Sequence, residues 1–379
     1  MSNKHASLNA LFTDIADAIR EKTGDTASII ADDFPDVIRD RLRAKPYLTF
    51  SSPNSFTLKV NDATKHWDGT LEYSTDASAW STWDGTTTLS SATSGSDNVL
   101  YLRGTGNTVI TGGNSNYKWV LTGSDISCIG NIENLLDYAT VESGVHPTMA
   151  ASCYEPMFDG CTSLTQAPAL PATTLAEGCY ASMFSGCTSL TQAPALPAAT
   201  LADYCYYGMF NGCTSLTQAP ALPATTLASS CYMQMFSGCT SLTQAPDLPA
   251  TTLEISCYMQ MFYDCTSLTQ APALPATTLA YYCYAVMFNG CTSLTQAPAL
   301  PATTLEISCY YGMFNGCTSL KLSSTKTGEY TQEYRIPTTG TGTTASNALT
   351  NMFAVTGGTF TGTPEINTTY YLSNTNTIV

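Results

Sequence analysis

The sequence predicts an α+β multidomain protein with a small helical module, an antiparallel β-sandwich, a repeat solenoid and a β-rich C-terminal cap. Three observations predict this class. A motif of 26 residues occurs seven times between Cys153 and Leu320. The residues before it alternate in hydrophobicity with a period of two and are interrupted by Asp-Gly and Gly-Gly pairs. The first 45 residues carry apolar side chains at helical spacing.

The repeated motif reads C-Y-x-x-M-F-x-G-C-T-S-L-T-Q-A-P-A-L-P-A-T-T-L-x-x-x and first begins at Cys153. On a helical wheel its two cysteines, tyrosine, methionine and phenylalanine share one half, which predicts an amphipathic helix of about three turns in each copy. Gly186 stands where a left-handed residue would end that helix. Residues 190–194 predict a short strand that proline terminates. One helix and one strand cannot bury their apolar sides alone, so we expect the copies to stack.

The 15 cysteines raise the question of disulfides or a metal site. On one helix, Cys179 and Cys187 would lie roughly 12 Å apart, and equivalent cysteines of adjacent helices about 8–10 Å apart, beyond disulfide reach. A C-x7-C spacing without histidine is also not typical of zinc ligands. We therefore predict that the cysteines are small buried apolar residues, and we predict no metal or cofactor.

The charge distribution restricts the partners. The net charge is −15, and no Lys or Arg occurs between Lys118 and Lys321. Such a surface repels phosphate, so we expect neither nucleic acid nor an anionic membrane as a partner. No apolar stretch is long enough to span a membrane, and residues 1–20 contain no run typical of a signal peptide. We expect a protein that is made in a cytoplasm and that, if it leaves, does so by a route other than a signal peptide.

Residues 1–45 predict a helical docking module. Leu8, Leu11, Phe12, Ile15 and Ile19 form one apolar stripe, and a second short helix follows it. The module holds seven of the 14 basic residues, in contrast with the acidic remainder, and this contrast indicates a docking segment. A helical hairpin with an ordinary solvated face explains the same pattern.

Residues 46–125 predict an antiparallel β-sandwich of about seven strands. His66 near Asp68 is interpreted as a solvated loop pair rather than a catalytic dyad, since no nucleophile accompanies it. Residues 126–152 predict a cap for the first repeat, with Ile132, Leu135 and Leu136 on a covering helix. Residues 153–320 are the predicted solenoid, and residues 321–379 predict strands that close its far end.

The copies differ almost only in two windows, the three residues before each C-Y pair and the two after it. The wheel places these windows opposite the apolar half, so we expect them on an exposed face. Neutral sequence change at exposed positions is the simplest explanation for the differences. However, large amphipathic side chains occupy these positions, as is typical of binding surfaces. The predicted ligand-binding residues are Tyr204, Tyr207, Met233, Gln234, Ile255, Met259, Gln260, Tyr281, Tyr282 and Tyr311.

The repeats also allow two different roles for their surfaces. The variable face could pack against a second copy of the protein. The strand face, where Thr191-Gln192 and its counterparts recur unchanged, could bind a periodic ligand such as a glycan. For these uniform rows we favour mutual hydrogen bonding between the copies.

The string LNALFTDIADAIREKTG at residues 8–24, followed by IIADDFPDVI at residues 29–38, resembles the N-terminal module of many tail-associated structural proteins of bacteriophages and prophages. The resemblance implies attachment of residues 1–45 to other virion tail proteins.

The pieces M-F-x-G-C-T-S-L-T and A-L-P-A-T-T-L resemble the Treponema-type or BspA-like leucine-rich repeats of bacterial surface proteins. With LEYSTDASAWSTWDG and YLRGTGNTV in the preceding sandwich, the likeness covers most of residues 46–379. It implies a leucine-rich-repeat-like solenoid and a role in adhesion or recognition.

We therefore expect a phage tail-associated receptor-binding or adhesion protein, located in the virion, whose repeats bind a glycan or protein receptor on a cell surface. A bacterial cell-surface leucine-rich-repeat adhesin and a structural virion decoration protein are the alternatives. We do not expect an enzyme, because the copies lack paired carboxylates at repeated positions. The apolar stripe near the N-terminus could support a homotrimer.

Overall fold

The structure, a computed structural model, describes residues 45–336 and 347–379. The predicted helical docking module, with its apolar stripe and its role in trimerisation, lies outside these residues. Residues 47–379 form one unit.

Between residue 45 and the first repeat, the described chain forms nine strands and one α-helix. The helix α1 spans Asn134–Glu142 and is interrupted at Asp137, whose φ of −155° and ψ of 100° are extended. The strands are β1 Leu48–Ser52, β2 Thr57–Val60, β3 Thr70–Ser74, β4 Ser81–Trp83, β5 Leu89–Ser90, β6 Ala92–Ser94, β7 Asp97–Thr105, β8 Trp119–Thr122 and β9 Ile126–Ile129.

These strands form two sheets around a shared core. The larger sheet has the order β9-β1-β7-β3-β4, with β6 also pairing β7, and the smaller sheet has the order β5-β2-β8. All of these pairs are antiparallel, with Phe50 opposite Leu100 in the central pair. Trp83 and Trp119 connect the sheets, with ring centroids 5.4 Å apart and both side chains buried. The apolar residues of the alternating sequence pattern thus fill the interior between the two sheets.

Helix α1 and the first repeat continue this core without a break. Leu135 and Leu136 on the helix, and Ile132 before it, are fully buried, as predicted for the segment that covers the first repeat. The strand β10, Leu164–Gln166, pairs in parallel with β9 and adds the first copy to the edge of the larger sheet. The repeats therefore begin on the sheet edge.

The segment from the second residue before the first cysteine to the residue before the second cysteine, called here the turn segment, is a chain of turns in every copy. In the second copy φ is positive at Gly178, Ser182 and Gly186, at 58°, 52° and 68°. A left-handed residue at every fourth position excludes an α-helix, because each one reverses the handedness of the backbone. The three-turn helix predicted for each copy is therefore wrong. Gly186 adopts the predicted left-handed conformation without ending a helix.

The turn segments of consecutive copies are joined by main-chain hydrogen bonds. In the fourth copy the N–H of Tyr232 donates to the carbonyl of Cys257 at 3.1 Å, and the N–H of Phe236 donates to that of Met261 at 3.0 Å. The alternate N–H groups donate three residues back within the copy, as Met235 does to Tyr232 at 3.2 Å. The N–H groups that a helix would use internally thus connect one copy to the next.

Aromatic rings form two continuous stacks through the copies. Around the fourth copy, Phe236 lies 5.8 Å from Phe210 and 5.7 Å from Phe262, measured between ring centroids, with the rings within 6° of parallel. The tyrosines after the first cysteines stack in the same manner, as Tyr232 and Tyr258 do at 5.8 Å. These side chains are at most 1% exposed, so the wheel selected the buried residues correctly although the backbone is not helical.

All 15 cysteines are buried free thiols. From the second copy on, the second cysteine donates its S–H to the phenylalanine carbonyl of the preceding copy, as Cys239 does to Phe210 at 3.1 Å, whereas Cys161 of the first copy donates to the carbonyl of Trp119 at 3.3 Å. Burial raises the pKa of Cys161 to about 11 and that of Cys179 to about 12, which holds both as unreactive thiols. The cysteines fill the interior, as predicted.

We expect Tyr232→Phe to raise the free energy of unfolding by about 1 kcal/mol. The Tyr232 hydroxyl is buried and has no hydrogen-bond partner among the described residues, so the variant removes an uncompensated desolvation cost. Tyr154→Phe is the matched control, because the Tyr154 hydroxyl donates to the carbonyl of Ile132 at 3.3 Å and its loss should lower stability. Urea unfolding followed by tyrosine fluorescence measures the free energy of unfolding of both variants. Equal changes of the same sign would contradict the difference in hydrogen bonding between the two hydroxyls.

The strands predicted after the turn segments are short. Besides β10, the repeats contain the strand β11, Gln296–Ala297, and isolated parallel bridges such as Gln192 with Gln218. The remaining strands follow the seventh copy and form a four-stranded sheet of order β13-β15-β12-β14, while β16 pairs β11. They are β12 Lys321–Ser323, β13 Tyr330–Arg335, β14 Gly357–Gly358, β15 Thr369–Ser373 and β16 Thr377–Ile378.

Both ends of the repeats are closed by the same kind of hydrogen bond. At the start, the N–H of Trp119 donates to the carbonyl of Met157 at 2.7 Å. At the end, the N–H of Phe314 donates to the carbonyl of Met352 at 2.9 Å, and Phe353 stacks on Phe314 with ring centroids 5.5 Å apart. Residues 348–353, which echo the motif, thus supply the last turn of the series.

The predicted fold class is wrong as a whole. The described residues are mostly strand and turn, with one α-helix, and they form several small sheets. None of these sheets is closed or runs through the copies as a solenoid sheet. The α+β prediction failed because it gave each copy a helix, whereas the backbone hydrogen bonds of the turn segments run between copies.

Candidate functional site

The ten residues predicted to bind a ligand are all at least partly accessible. Five are exposed, and Tyr207, Met233, Gln234, Met259 and Gln260 are half-buried. The exposed fractions are 47% for Tyr204, 49% for Ile255, 46% for Tyr281, 41% for Tyr282 and 38% for Tyr311. We call the surface formed by these residues and the other residues of the two windows the variable face.

The variable positions take part in the stack through their main chain. The N–H of Ser230 donates to the carbonyl of Ile255, and the N–H of Gln234 donates to that of Met259, both at 2.9 Å. Neither bond depends on the side chain of the acceptor residue. The side chains of the variable face can therefore change from copy to copy while the copies keep their hydrogen bonds.

Not every residue of the two windows is accessible. Gly178, Ala181 and Ala285 are buried, although the wheel placed Gly178 and Ala181 on the outward side. The reason is that the direction of the side chains repeats every four residues in the turn segment, whereas the helical wheel assumes a repeat of 3.6 residues. The second residue before each C-Y pair is the most accessible of the set, and Ile255 and Tyr281 occupy this position.

Several residues of the variable face hold a strained backbone. Tyr204 and Tyr282 have a φ of 57°, and Val286 has a φ of 58°. L-residues pay roughly 1–2 kcal/mol for this conformation, and a β-branched side chain is a rare occupant of it. Glycine occupies the position of Val286 in the third and seventh copies, as Gly208 and Gly312. The hydrogen bonds between copies hold this conformation, since the N–H of Tyr204 donates to the carbonyl of Ser229 at 3.0 Å and that of Val286 to the carbonyl of Tyr311 at 2.7 Å.

We expect Val286→Gly to raise stability by about 0.5–1 kcal/mol, since relief of the left-handed strain exceeds the added flexibility of the unfolded chain. Gly312→Val is the reciprocal control, because Gly312 has the same φ of 58° and a Cβ there would meet nothing within 4 Å. That variant should lose about 1 kcal/mol or more for conformational reasons alone. If the urea midpoints of both variants shift in the same direction, backbone strain at Val286 does not explain the effect.

Three of the predicted residues line one groove. A concavity of about 500 Å³ on the variable face brings Tyr204, Tyr207 and Met233 together. Elsewhere on the face, the side-chain amide of Gln234 donates to the amide oxygen of Gln260 at 2.7 Å. Ile255, Met259, Tyr281, Tyr282 and Tyr311 do not line this groove. The other lining residues are Ser152, Glu155, Glu177, Gly178, Ala181, Ser230 and Ser256.

Two of these lining residues, Glu155 and Glu177, are not among the predicted binding residues. Both stand in the variable windows, but they are acidic, whereas the prediction rests on large amphipathic side chains. Burial raises the pKa of Glu155, and a hydrogen bond from Ser152 partly opposes this effect. Within residues 45–336 and 347–379 no basic side chain forms an ion pair with Glu155. The groove thus holds a half-buried acid without a countercharge.

A larger groove, of about 660 Å³, lies on the strand face between the third and fourth copies and includes Gln218 and Gln244. The Thr217 hydroxyl donates to the carbonyl of Thr191 at 3.5 Å, a weak contact, and the glutamine amides of this described row make no side-chain hydrogen bonds to one another. Mutual hydrogen bonding therefore explains the threonine row only in part. The wall of this groove is nearly the same in every copy, so it offers little basis for specificity.

The histidine pairs do not form a catalytic constellation. His66 pairs with Asp62, at 2.8 Å from Nε2 to Oδ1, rather than with the predicted Asp68. Asp68 accepts hydrogen bonds from the N–H and hydroxyl of Thr108 at 2.8 and 2.7 Å. Nδ1 of His146 lies 2.8 Å from Oε2 of the buried Glu133. Both histidine pairs connect loops near the ends of strands or of α1.

Among the residues that the structure describes, no cluster of three or more histidine, cysteine or acidic side chains could hold a metal ion. No helix in this part of the chain combines the length and apolarity needed to cross a bilayer. Comparison with protein-family models, curated proteins and solved structures finds no match.

Proposed function

We propose that the chain is a recognition protein of a phage tail, whose variable face binds a receptor on a bacterial or host cell surface. The observation that carries the proposal is the separation of tasks within the turn segment. Main-chain atoms join the copies, while exposed side chains such as Tyr204, Ile255 and Tyr281 differ between them. Tyrosine gives a large contact area and a hydroxyl at a low cost in side-chain entropy.

The assignment to a tail rests on the resemblance of residues 1–45 to tail-associated modules. In this proposal those residues attach the chain to other virion proteins, and the repeats remain accessible for the receptor, which is a glycan or a protein. The excess of acidic residues opposes binding to nucleic acid and to anionic lipids. The two alternatives are a secreted adhesin with the same surface and a structural decoration protein. The exposed tyrosines favour recognition over decoration.

The test is binding of the full chain to a panel of bacterial cells and purified surface polysaccharides. We expect replacement of Tyr204, Tyr207, Tyr281 and Tyr282 by serine to weaken binding at least tenfold, because aromatic contacts of this kind often dominate interfaces. Gln218→Ser with Gln244→Ser on the strand face is the matched control and should bind normally.

Loss of binding in the strand-face variant alone would overturn the proposal and assign recognition to the uniform rows. Light scattering on the same samples measures the molar mass. A fall in mass of the tyrosine variant, with cell binding unchanged, would instead show that the variable face joins copies of the chain.

A further inference from the structure

The groove on the variable face combines negative charge with aromatic walls. It extends from Ser152 to Ser256, so five consecutive turn segments contribute to one concavity. Glu155 and Glu177 supply its carboxylates. The whole interval between Lys118 and Lys321 contains no Lys or Arg, and Lys118 itself pairs with Asp159 at 2.7 Å. The field in the groove therefore favours a cation over an anion.

The carboxylate of Glu155 is fixed close to the backbone of the groove. A Cβ built on Gly178 would lie 3.3 Å from Oε2 of Glu155 and 3.1 Å from the Ser152 hydroxyl oxygen. A Cβ on Gly113 would also lie 3.3 Å from the same carboxylate oxygen. Two glycines thus leave room for the acid, and its half-burial removes part of its hydration. A ligand cation would replace that lost hydration.

The aromatic walls suit the same ligand. The rings of Tyr204 and Tyr207 meet edge to face, with centroids 6.3 Å apart and planes at 72°. In this arrangement the edge of one ring covers a face of the other, and the remaining ring faces carry the negative quadrupole that attracts a cation. The polarizable sulfur of Met233 lies along the same groove. Ring faces attract ammonium groups, including quaternary ones that cannot donate hydrogen bonds.

We propose that this groove binds an ammonium group, carried by the surface molecule that the variable face recognises. Tyr204 and Tyr207 contact the cation through their ring faces, Glu155 and Glu177 supply the countercharge, and Met233 contacts the attached carbon chain. The inference rests on the proposed function for the source of the ligand, but the chemistry of the groove can be tested alone.

Three small alcohols of the same length test the chemistry with the full chain. Choline carries a trimethylammonium group, ethanolamine carries a primary ammonium group, and 3,3-dimethylbutan-1-ol is the neutral isostere of choline. We expect choline to bind roughly fivefold more tightly than the isostere, the factor that corresponds to about 1 kcal/mol of cation–π attraction. Methyl NMR of ¹³C-labelled methionine measures this through the Met233 resonance, which Met233→Leu assigns.

Variants of Tyr204 and Glu155 separate the contributions of the ring face and of the carboxylate to cation binding. Tyr204→Leu should abolish the preference for choline over the isostere, whereas Tyr204→Phe, which retains a ring face, should keep most of it. Glu155→Gln should weaken both cations and leave the neutral alcohol unchanged. Tyr204 is exposed, so its variants should fold, and their thermal unfolding checks this. Equal affinities for choline and its isostere, or no saturable shift with either cation, would overturn the inference.

The relative affinity of ethanolamine decides which kind of ammonium the groove prefers. A stronger response to choline indicates a quaternary group, and a stronger response to ethanolamine indicates a primary amine on a sugar or peptide. If the groove does not bind choline or ethanolamine but the four-tyrosine variant still loses binding to cells, the proposed function remains supported. If the groove binds the cation but the four-tyrosine variant binds cells normally, receptor recognition occurs elsewhere on the chain.

Discussion

Phe236→Ala is expected to lower the free energy of unfolding by about 3–5 kcal/mol. Phe236 is fully buried and stacks on two neighbours, Phe210 and Phe262, so its loss opens a cavity between three copies at once. The surrounding main chain cannot collapse into this cavity, because hydrogen bonds between copies fix it on both sides. Urea unfolding measures the effect, and the breadth of the transition shows whether the copies still unfold together.

Two further variants give the scale for Phe236→Ala. Phe236→Leu keeps most of the side-chain volume and should lose less than half as much. Tyr281→Ala removes an exposed ring and should change stability by no more than about 0.5 kcal/mol. If Phe236→Ala costs as little as Tyr281→Ala, the ring stack does not hold the copies together.

Gly104→Ala is expected to lower stability by about 3 kcal/mol or more, at the upper end for overpacking. Gly104 lies on β7 against α1, and an added Cβ would overlap the carbonyl oxygen of Leu135 and lie 2.7 Å from Nδ2 of Asn107. That nitrogen donates to the Leu135 carbonyl at 2.9 Å and to the Thr70 carbonyl at 2.8 Å. The methyl group would therefore push α1 away from β7 and disturb both hydrogen bonds of this Asn107 nitrogen.

The control for Gly104→Ala is Gly328→Ala. A Cβ on Gly328 would meet nothing within 4 Å, and the residue does not have a positive φ. Thermal unfolding should place Gly328→Ala within a degree or two of the parent chain. Comparable losses in the two variants would show that the close approach of β7 and α1 is not responsible.

The sequence predicted the interior of the repeats correctly and their backbone incorrectly. Residues such as Tyr232 and Phe236 were assigned to the buried side, and they are buried. Over the ten residues of a turn segment, periods of 3.6 and four select the same cysteine, tyrosine, methionine and phenylalanine positions, so the spacing of these large apolar residues could not distinguish the two backbones. Glycines at a spacing of four, such as Gly208 and Gly212, were the available signal, because a helix interior disfavours them.

The candidate site was predictable only in part. The exposure of Tyr204 and Ile255 followed from their positions outside the apolar half, which both periods share. The contribution of Glu155 depends on the close approach of the first copy to the loop at Gly113, which no local pattern encodes. Residues distant in sequence meet there because the stack begins on the preceding sheets, and single-sequence periodicity carries no information about that contact.

The direction of the hydrogen bonds between copies has a consequence for how such a chain can change over time. In the turn segments, alternate N–H groups of each copy donate to the following copy. The first and last joints, at Trp119 with Met157 and at Phe314 with Met352, use the same bond. Removal or duplication of one 26-residue unit would therefore create no new kind of joint. The length of the array can vary in whole units by recombination of the gene, and each added unit brings its own set of accessible side chains.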